Sequence, residues 1–564
     1  MIKLMVFDLD GTLTESGQTL GPRLAARLED LLRQTAVAVI SGATLEKMKR
    51  QILPPLSAEA KLENLILLPE NGSHGFDLTQ PEKAKIFGAL GKIYELEKPA
   101  LAYPPLAEDR GGQITYSPVG IEAPAEVKGA YDADHRRREK IVGVLRPLLP
   151  DFEISIGGRA SIDITRKGMN KAFGVTKILA LKSLSPNEAV FVGDALFEGG
   201  NDNPVRATGV PCLSVRGPEE TAAVINQLIF DLRSEGKLLE KTSRPFERRA
   251  VLNPTCIEKN GLVHMFYRAI SNDDISSIGY GAFRGPEIVS RLDKPLLYPE
   301  FDYESRGLED PRIVFIDGTY YLFYTAYDGQ NARVAYAESR DLIRFEKKGL
   351  ISSSLEYAEV LSSLNREKLP ERYFWYGEHY QSVIAKDILL WEKDFCLFPK
   401  KINGRFALLH RVMPGIQFIS FDKFEELKDP EFWRKYFRTM EENVVLNPEL
   451  WFETKKIGGG APPLETPAGW LLIYHAMEEA TRIYRAGAAL LALDDPRKVI
   501  GRLKEPLFSP REEWEKNGLV DNVVFPTAAL IQGDRLWIYY GAADSLIAAK
   551  SLDLNKLLNA FRTQ

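Results

Sequence analysis

The distribution of apolar residues divides the chain into two parts. Up to about residue 230, short apolar runs such as 3–7, 37–40 and 190–192 alternate with stretches of helical periodicity. Beyond about residue 250, alternating apolar and aromatic runs follow turn glycines, which is typical of short antiparallel strands. The pattern predicts a multidomain protein, with an α/β part followed by an all-β part.

One pattern recurs five times in the second part. Each copy is a turn glycine followed by an apolar and aromatic strand, and a further strand comes after it; the copies are 261–267, 318–324, 404–410, 469–474 and 533–540. Five such units predict a five-bladed β-propeller with a central cavity, and a two-sheet sandwich is the alternative fold. Residues 355–372 and 422–440 have the pattern of helical insertions.

Composition narrows the class of protein. The 564 residues suggest several domains, and 45% hydrophobic with 27% charged residues is typical of a globular protein. The chain has no apolar run of the roughly 20 residues needed to span a bilayer and no signal-like start, so we expect a cytoplasmic protein without a membrane partner. A net charge of −5 without a basic stripe argues against nucleic acid, and three scattered cysteines argue against disulfides or zinc.

Acidic residues follow the predicted strands of the first part. Asp8 and Asp10 end the first strand, and Asp194 and Asp202 flank a glycine-rich loop after a later one. Two aspartates separated by one residue can divide the work on a phosphate ester, one attacking and one moving the proton. Mg²⁺ prefers such hard oxygen ligands. Ser41 could hold a phosphate oxygen, and Lys171 could provide a fixed positive charge.

This order of motifs resembles the haloacid-dehalogenase-like phosphotransferases over about residues 1–230, and 157–163 with 193–202 resemble the phosphomannomutase and sugar-phosphatase branch. The resemblance implies an α/β Rossmann-like core over 1–77 and 166–232 and an inserted α/β cap over 78–165. Asp8 is then the nucleophile and Asp10 the general acid/base. The implied phosphate ligands are Ser41 and Lys171, and the implied Mg²⁺ ligands are Asp8, Asp10, Asp194 and Asp202.

The predicted cap departs from the mutase pattern. Arg110, Ser161 and Asp163 stand where mutases hold the sugar and its second phosphate. Ile121 stands where a mutase usually has an arginine, and Lys128 lies near the expected place of another. A mutase needs a strong cationic grip on the distal phosphate, whereas a phosphatase needs less. The sequence therefore favours a sugar phosphatase, with a phosphomannomutase as the alternative.

After a charged segment at 233–249, which we interpret as a linker, residues 250–564 form the predicted propeller. Its most informative motif is 307–312, where Asp310 precedes a proline at the start of a strand. Taken alone, the motif also fits an ion pair between Asp310 and Arg312. Other polar residues lie near the edges of the repeat strands: Asn253, Arg268, Lys401, His410, Arg411, His475, Arg485 and Asp521. One acid with many cations indicates phosphorolysis, because a hydrolase needs a second carboxylate as base.

Residues 245–560 resemble glycoside hydrolase family 130, the β-mannoside phosphorylases, through 307–312, 397–404, 409–411, 458–463 and 520–526. The resemblance implies Asp310 as the general acid. It implies Arg268, Lys401, Arg411 and His475 around phosphate, and Asn253 and Asp521 on the mannosyl ring.

Together the two parts predict a bifunctional enzyme of mannose metabolism. The propeller would cleave β-mannosides with inorganic phosphate to give α-mannose 1-phosphate, and the first part would process mannose phosphates. A β-mannosidase and a non-catalytic carbohydrate-binding module are the alternatives for the propeller. The sequence leaves the linkage, the acceptor sugar and any homo-oligomer open.

Overall fold

A computed structural model describes residues 2–96, 102–132, 134–385 and 387–562. The chain divides into two compact units, Met1–Ile229 and Phe230–Gln564. Residues 97–101 and 133 of the expected cap lie outside the described residues. Within the described part, no helix combines the length and the apolar character needed to cross a membrane.

Unit 1 is an α/β structure with two sheets. Its strands are β1 Leu4–Asp8, β2 Ala36–Ile40, β3 Leu65–Leu68, β4 Ala107–Asp109, β5 Gln113–Tyr116, β6 Phe152–Gly157, β7 Ser161–Arg166, β8 Ala189–Gly193 and β9 Cys212–Ser214. Its helices are α1 Pro22–Leu32, α2 Leu45–Ile52, α3 Gln80–Leu96, α4 Ala125–Tyr131, α5 Arg136–Leu148, α6 Lys171–Leu181 and α7 Pro218–Ile229.

The larger sheet of unit 1 has the order β3-β2-β1-β8-β9, and all its pairs are parallel. Its central strands are almost wholly buried, which explains their continuous apolar runs. The second sheet has the antiparallel order β4-β5-β7-β6 and packs its apolar face against α3 and α5. Apart from Arg166 at the end of β7, the described residues of the second sheet and its helices fall within the range 78–165 expected for the cap.

Unit 2 is built mainly from antiparallel strands. They are β10 Arg233–Leu239, β11 Ala250–Lys259, β12 Leu262–Ile270, β13 Ser276–Arg284, β14 Glu287–Arg291, β15 Gly307–Ile316, β16 Thr319–Tyr327, β17 Ala332–Ser339, β18 Phe345–Leu350, β19 Lys393–Leu397, β20 Phe406–Arg411, β21 Ile416–Phe421, β22 Val444–Leu446, β23 Lys456–Gly459, β24 Leu464–Thr466, β25 Gly469–Met477, β26 Tyr484–Leu491, β27 Val499–Arg502, β28 Val524–Gln532, β29 Arg535–Ala542 and β30 Leu546–Asp553. The helices are α8 Tyr357–Ser363, α9 Arg372–Val383, α10 Pro430–Phe437, α11 Glu513–Lys516 and α12 Leu554–Arg562.

These strands form successive antiparallel groups along the chain: β11 to β14, β15 to β18, β19 to β22, β23 with β25 to β27, and β28 to β30 with β10. The second strand of each group is one copy of the repeated pattern. Helices α8 and α9 lie between the second and third groups, and α10 lies between β21 and β22. Helices α8 and α10 fall within the predicted insertions 355–372 and 422–440, whereas α9 begins only at the end of the first.

The segment expected as a linker, 233–249, is instead partly sheet. Strand β10 pairs antiparallel with β30, the last strand of the chain, so the two ends of unit 2 share one group. The charged residues Arg233 and Lys237 are exposed on this edge strand, so their pattern resembles that of a linker.

Candidate functional sites

The carboxyl ends of β1, β2 and β8 meet at one edge of the parallel sheet. Asp8 lies beside Ile40 in the register of β1 and β2, which places Ser41 next to it. Lys171 begins α6, and its Nζ lies 2.6 Å from Asp8 Oδ1 and 2.6 Å from Asp202 Oδ1. The lysine is buried, and Asp202 and Asp8 raise its pKa against the opposing effect of burial. The Lys171 ammonium therefore lies between the carboxyl groups of Asp8 and Asp202.

Three carboxylates of this edge could share one cation. One oxygen each from Asp8, Asp194 and Asp202 lies within 4.8 Å of the other two. Burial raises the pKa of Asp8 and of Asp194, and neighbouring carboxylates add to both effects. Hard oxygen donors in a site of excess negative charge fit Mg²⁺.

The Asp10 carboxylate does not join that group. Its Oδ1 accepts hydrogen bonds from Gly17 N at 2.7 Å and from Gln51 Nε2 at 3.2 Å. These hydrogen bonds hold the Asp10 carboxylate outside the group formed by Asp8, Asp194 and Asp202. The structure therefore does not place the Asp10 carboxylate with the other three aspartates, although the sequence predicts all four as Mg²⁺ ligands.

The predicted cap residues Arg110 and Asp163 lie against the loop that follows β2. Arg110 Nη1 donates to Gly42 O at 2.6 Å. Asp163 accepts a hydrogen bond from Thr115 Oγ1 at 2.8 Å, and a Cβ on Gly42 would lie 2.7 Å from its Oδ2. Ser161 is half-buried at the start of β7. The two halves of unit 1 therefore meet beside Ser41.

The surroundings of Ile121 carry a different cation from the mutase pattern. Lys128 Nζ donates to Ile121 O at 2.6 Å. Burial lowers the pKa of Lys128, with Lys47 and Arg110 adding to the effect and Asp10 opposing it. Arg110 is itself paired with Glu108, with 2.5 Å between Nη2 and Oε2. Part of the positive charge that Lys128 and Arg110 bring to this region is therefore already neutralised by Glu108.

Unit 2 presents its polar residues on irregular strands. Asn253, Asp310 and Asp394 lie in β11, β15 and β19 at register shifts of the ladder, with φ of 48°, 49° and 60°. Asn and Asp tolerate the left-handed region better than most residues, and a bulge re-aims the side chain beside it. The same distortion thus occurs in the first strand of three successive groups.

Asp310 lies in a charged network. Its Oδ1 accepts from Asn253 Nδ2 at 2.8 Å and from Arg268 Nη1 at 3.5 Å. Glu309 pairs with Arg268 at 2.7 Å and with Lys393 at 3.3 Å. Burial would raise the pKa of Asp310, but Arg268 and then Lys393 outweigh it and hold the pKa below its usual value. Without a ligand, Asp310 is therefore a carboxylate at neutral pH.

A second cluster centres on Asp394. Arg411 Nη1 and His475 Nε2 each lie 3.0 Å from Asp394 Oδ2. The pKa of Asp394 is held far below its usual value because Arg411 and His475 outweigh burial. Burial, with the charges of Arg411 and Lys456, lowers the pKa of His475 to about 4. The imidazole is therefore neutral at pH 7, and its Nε2–H donates to Asp394.

This tautomer changes the role of His475. Nδ1 must then be an acceptor, and it is buried without a hydrogen-bond partner among the described residues. Asn253 Oδ1 is likewise buried without a partner in that part of the chain. Two acceptors suit the hydroxyl groups of a sugar better than a phosphate dianion. Lys456, whose pKa burial lowers to about 7, lies near the same cluster.

Several expected residues lie elsewhere. Lys401 pairs with Asp317 at 3.1 Å and covers the Phe406 ring. Asp521 is exposed in a loop, where it accepts from Gly518 N. His410 is a core residue bonded to Glu392 and Tyr436. These three residues lie in or near repeat strands, but their side chains lie outside the polar clusters around Asp310 and Asp394.

Arg312 does not form the expected ion pair with the Asp310 carboxylate. It is buried and donates to backbone carbonyls, including Asp310 O at 3.0 Å and Gly460 O at 2.5 Å. The guanidinium therefore joins the bulge of β15 to the glycine run at the end of β23.

Sequence reasoning missed the residues Glu309, Lys393, Asp394, Lys456 and Asp544. Asp394 could have been found, because it precedes a repeat glycine much as Asn253 and Asp310 do. Asp544 lies in the turn between β29 and β30, and burial, followed by the charge of Asp310, raises its pKa to about 6. No local pattern distinguishes this turn from the other polar turns of the chain.

Comparisons with known proteins find a different family match for each unit. Residues 231–563 match the family described as beta-1,4-mannooligosaccharide phosphorylase, and residues 24–231 match eukaryotic phosphomannomutase. The chain is 36% identical over 332 residues to a 1,2-beta-oligomannan phosphorylase of Thermoanaerobacter sp. (strain X514), which covers 57% of this chain and 95% of that protein. It is 35% identical to a beta-1,2-mannobiose phosphorylase of the same organism, and the match covers 55% of this chain and 93% of that protein. It is 29% identical to a probable phosphomannomutase of Caenorhabditis elegans, over 41% of this chain and 96% of that protein.

Proposed function

Because the chain belongs to the mannooligosaccharide phosphorylase family of glycoside hydrolase family 130 over residues 231–563 and carries a phosphomannomutase-type domain before it, we propose a bifunctional enzyme of mannose metabolism. Unit 2 phosphorolyses β-mannosides with inversion to give α-mannose 1-phosphate. Unit 1 transfers the phosphoryl group of mannose phosphate through Asp8. β-1,2-Mannosides are the first substrates to test, since two relatives matched over at least 93% of their length are named for that linkage.

The observation that carries the proposal for unit 2 is the group of cations around Asp310. Asp310 contacts Arg268, and Lys393, Arg411 and Lys456 lie around the same network. Phosphate brings its own negative charge, so it needs cations to hold it rather than a second carboxylate to activate it. The five antiparallel groups, read as propeller blades, explain why residues of separate groups share one site.

The chemistry then follows from the charges. A phosphate dianion beside Arg268 and Lys393 offsets the cations that depress the pKa of Asp310, so the carboxyl can take up a proton. Asp310 gives that proton to the departing glycosidic oxygen as a phosphate oxygen attacks the anomeric carbon from the opposite face. The carbon–oxygen bond breaks with inversion, and the acceptor leaves as an alcohol. Asn253 and His475 offer acceptors for hydroxyl groups of the mannosyl ring.

In unit 1, Asp8 is the proposed nucleophile toward phosphorus, and Ser41 and Lys171 hold the phosphoryl oxygens. Asp8, Asp194 and Asp202 would hold Mg²⁺, which neutralises charge on the transferring group. Asp10, turned away from that cluster, protonates the leaving sugar oxygen. In the mutase reaction that the family match favours, phosphorylated Asp8 gives its phosphoryl group to the free hydroxyl of a sugar monophosphate. The resulting bisphosphate reverses its orientation, and Asp8 then takes back the other phosphoryl group, which leaves the isomeric monophosphate.

A sugar phosphatase is the second candidate for unit 1. Ile121 and the Glu108–Arg110 pair favour it, because they weaken the grip on a distal phosphate that a mutase requires. The two reactions separate in one assay with mannose 1-phosphate, in which mannose 6-phosphate marks a mutase and free phosphate marks a phosphatase.

The first experiment uses the full chain carrying Asp8→Asn, so that unit 1 consumes no product. We expect mannose 1-phosphate from β-1,2- or β-1,4-mannobiose only when inorganic phosphate is present. Chromatography of the sugar phosphates gives the readout, and the wild-type chain run in parallel reports what unit 1 does with the product. Free mannose released without phosphate would mean that unit 2 is a hydrolase and would refute the phosphorolysis proposal.

A further inference from the structure

We propose that the cavity beside helix α9 binds outer mannosyl units of the acceptor chain, with Trp375 as a stacking platform that favours oligosaccharides over disaccharides. This inference rests on the proposed phosphorolysis and adds the site that recognises substrate length. The cavity has a volume of about 300 Å³ and is lined by aromatic and charged residues, among them Trp375, His379, Tyr380, Lys456 and Arg482. That volume holds one or two sugar rings rather than a phosphate ion alone.

The cavity shares Lys456 with the proposed active centre. Lys456 lines it, and the same lysine interacts electrostatically with Arg411, Lys393 and Asp394. Tyr380, which also lines the cavity, packs against Trp391, with 4.9 Å between the ring centroids. Lys393 Nζ, which pairs with Glu309 beside Asp310, lies 5.6 Å from the Trp391 ring. A row of rings thus leads from the acid to the cavity.

The outer end of this row has the form of a sugar platform. Trp375 is 48% exposed although its neighbours Tyr373 and Phe374 are buried in the core. Its ring stacks on His379 at 5.4 Å with an interplanar angle of 9°. A large, flat, exposed ring within a cavity presents an apolar face to the C–H face of a pyranose, and the polar residues around it can bind the hydroxyl groups.

Helix α9 is held rigidly in this place. Tyr376 Oη donates to Lys455 O at 2.6 Å, and Arg372 Nη2 donates to the same carbonyl at 3.1 Å. Tyr373 Oη donates to Asn447 Oδ1 at 2.8 Å. The helix is therefore tied to the strand that carries Lys456, so its exposed ring is preorganised and does not need to order on binding.

The test compares substrates of increasing length in the full chain carrying Asp8→Asn. Phosphorolysis of mannobiose, mannotriose and mannotetraose is measured in the β-1,2 and β-1,4 series, with and without Trp375→Ala. We expect kcat/KM for the longer substrates to fall about tenfold, which corresponds to the loss of one good aromatic contact, whereas mannobiose changes less than twofold. Trp375→Phe retains a ring and should recover most of the loss.

Phe315→Ala is the matched control, because Phe315 is 45% exposed and lies outside the cavity. His379→Ala, which removes the ring under the indole, serves as the second variant if Trp375→Ala folds poorly. An equal loss for every length, no loss at any length, or a change confined to the KM of phosphate would each overturn the proposal.

Binding separates this inference from the proposed function. The Kd of mannotetraose, measured from the quenching of tryptophan fluorescence, should rise about tenfold in Trp375→Ala. This change is expected whether or not the chain turns the sugar over. If the wild-type chain binds mannotetraose through Trp375 but forms no mannose 1-phosphate, the phosphorolysis proposal fails and the site stands. If it phosphorolyses mannobiose but shows no Trp375-dependent binding, the oligosaccharide site is refuted and the phosphorolysis proposal stands.

Discussion

At the scale of residues, unit 2 depends on charges that are buried together. Asp394 is only 6% exposed, and Arg411 and His475 stabilise its carboxylate. Because burial and nearby cations keep His475 neutral, the pair is a hydrogen bond rather than an ion pair at pH 7. From the sequence alone, Lys401 and His410 are site candidates as good as Arg411 and His475. In the structure their side chains point to Asp317 and into the core instead.

His475 makes a testable contribution to the pH dependence of stability. Its folded pKa of about 4 lies below the ordinary value of 6.5, so between these values the unfolded chain binds more protons. The contribution is fully present above pH 6.5 and is lost as the pH falls toward 4, by up to about 3 kcal/mol. The groups that face the ring are Asp394, Arg411 and Lys456, with Phe525 stacked on it.

We therefore expect the free energy of unfolding of unit 2 to decrease from pH 6.5 to pH 4.5 more steeply in the wild-type chain than in His475→Gln. Urea denaturation at a series of pH values, followed by the fluorescence of the tryptophans of unit 2, gives the two slopes. Identical slopes would show that His475 is protonated in the folded state.

At the scale of elements, glycines allow the charged side chains to approach the backbone. A Cβ on Gly458 would lie 2.3 Å from Asp394 Oδ2 and 2.5 Å from His475 Nε2. In unit 1, a Cβ on Gly11 would lie 2.3 Å from Asp194 Oδ2, and one on Gly193 would lie 2.3 Å from Asp202 Oδ2. Both sites thus use glycine to keep polar groups in contact.

Gly458→Ala should separate Asp394 from His475. We expect phosphorolysis to fall about a hundredfold in kcat/KM and the free energy of unfolding to fall by about 1–3 kcal/mol, the usual cost of overpacking. Gly143→Ala is the control, because a Cβ there meets nothing within 4 Å and the residue lies in helix α5. Steady-state kinetics and urea denaturation measure both effects, and unchanged kinetics in Gly458→Ala would show that the Asp394–His475 contact is dispensable.

At the scale of the whole molecule, two units with separate sites share one chain. The acid network around Asp310 lies entirely in unit 2, and the Asp8–Lys171–Asp202 cluster lies entirely in unit 1. The proposed product of unit 2 is the proposed substrate of unit 1. The fusion would therefore supply both enzymes in equal amounts.

The two sites should fail independently. We expect Asp310→Asn to lower kcat for phosphorolysis by about 10²–10⁴-fold, because the leaving group then departs without a proton, and to leave the reaction with added mannose 1-phosphate unchanged. Asp8→Asn should do the reverse. Both rates are measured on each variant and on the double variant. Loss of both activities in Asp310→Asn would contradict separate sites.

The sequence by itself determined the division into an α/β part and an all-β part, and it predicted the candidate acids of two sites. Periodicity separates parallel from antiparallel strands, and the motifs around Asp8 and Asp310 are local, since a strand end and the turn after it bring their groups together. Tertiary structure alone decided which distant residues complete each site. Asp544, in a hairpin turn, interacts with Asp310 on a bulged strand of another group, and Lys456 interacts with Asp394 on a third strand. The direction of a side chain on a distorted strand depends on the ladder around it, and periodicity in the sequence does not encode that direction.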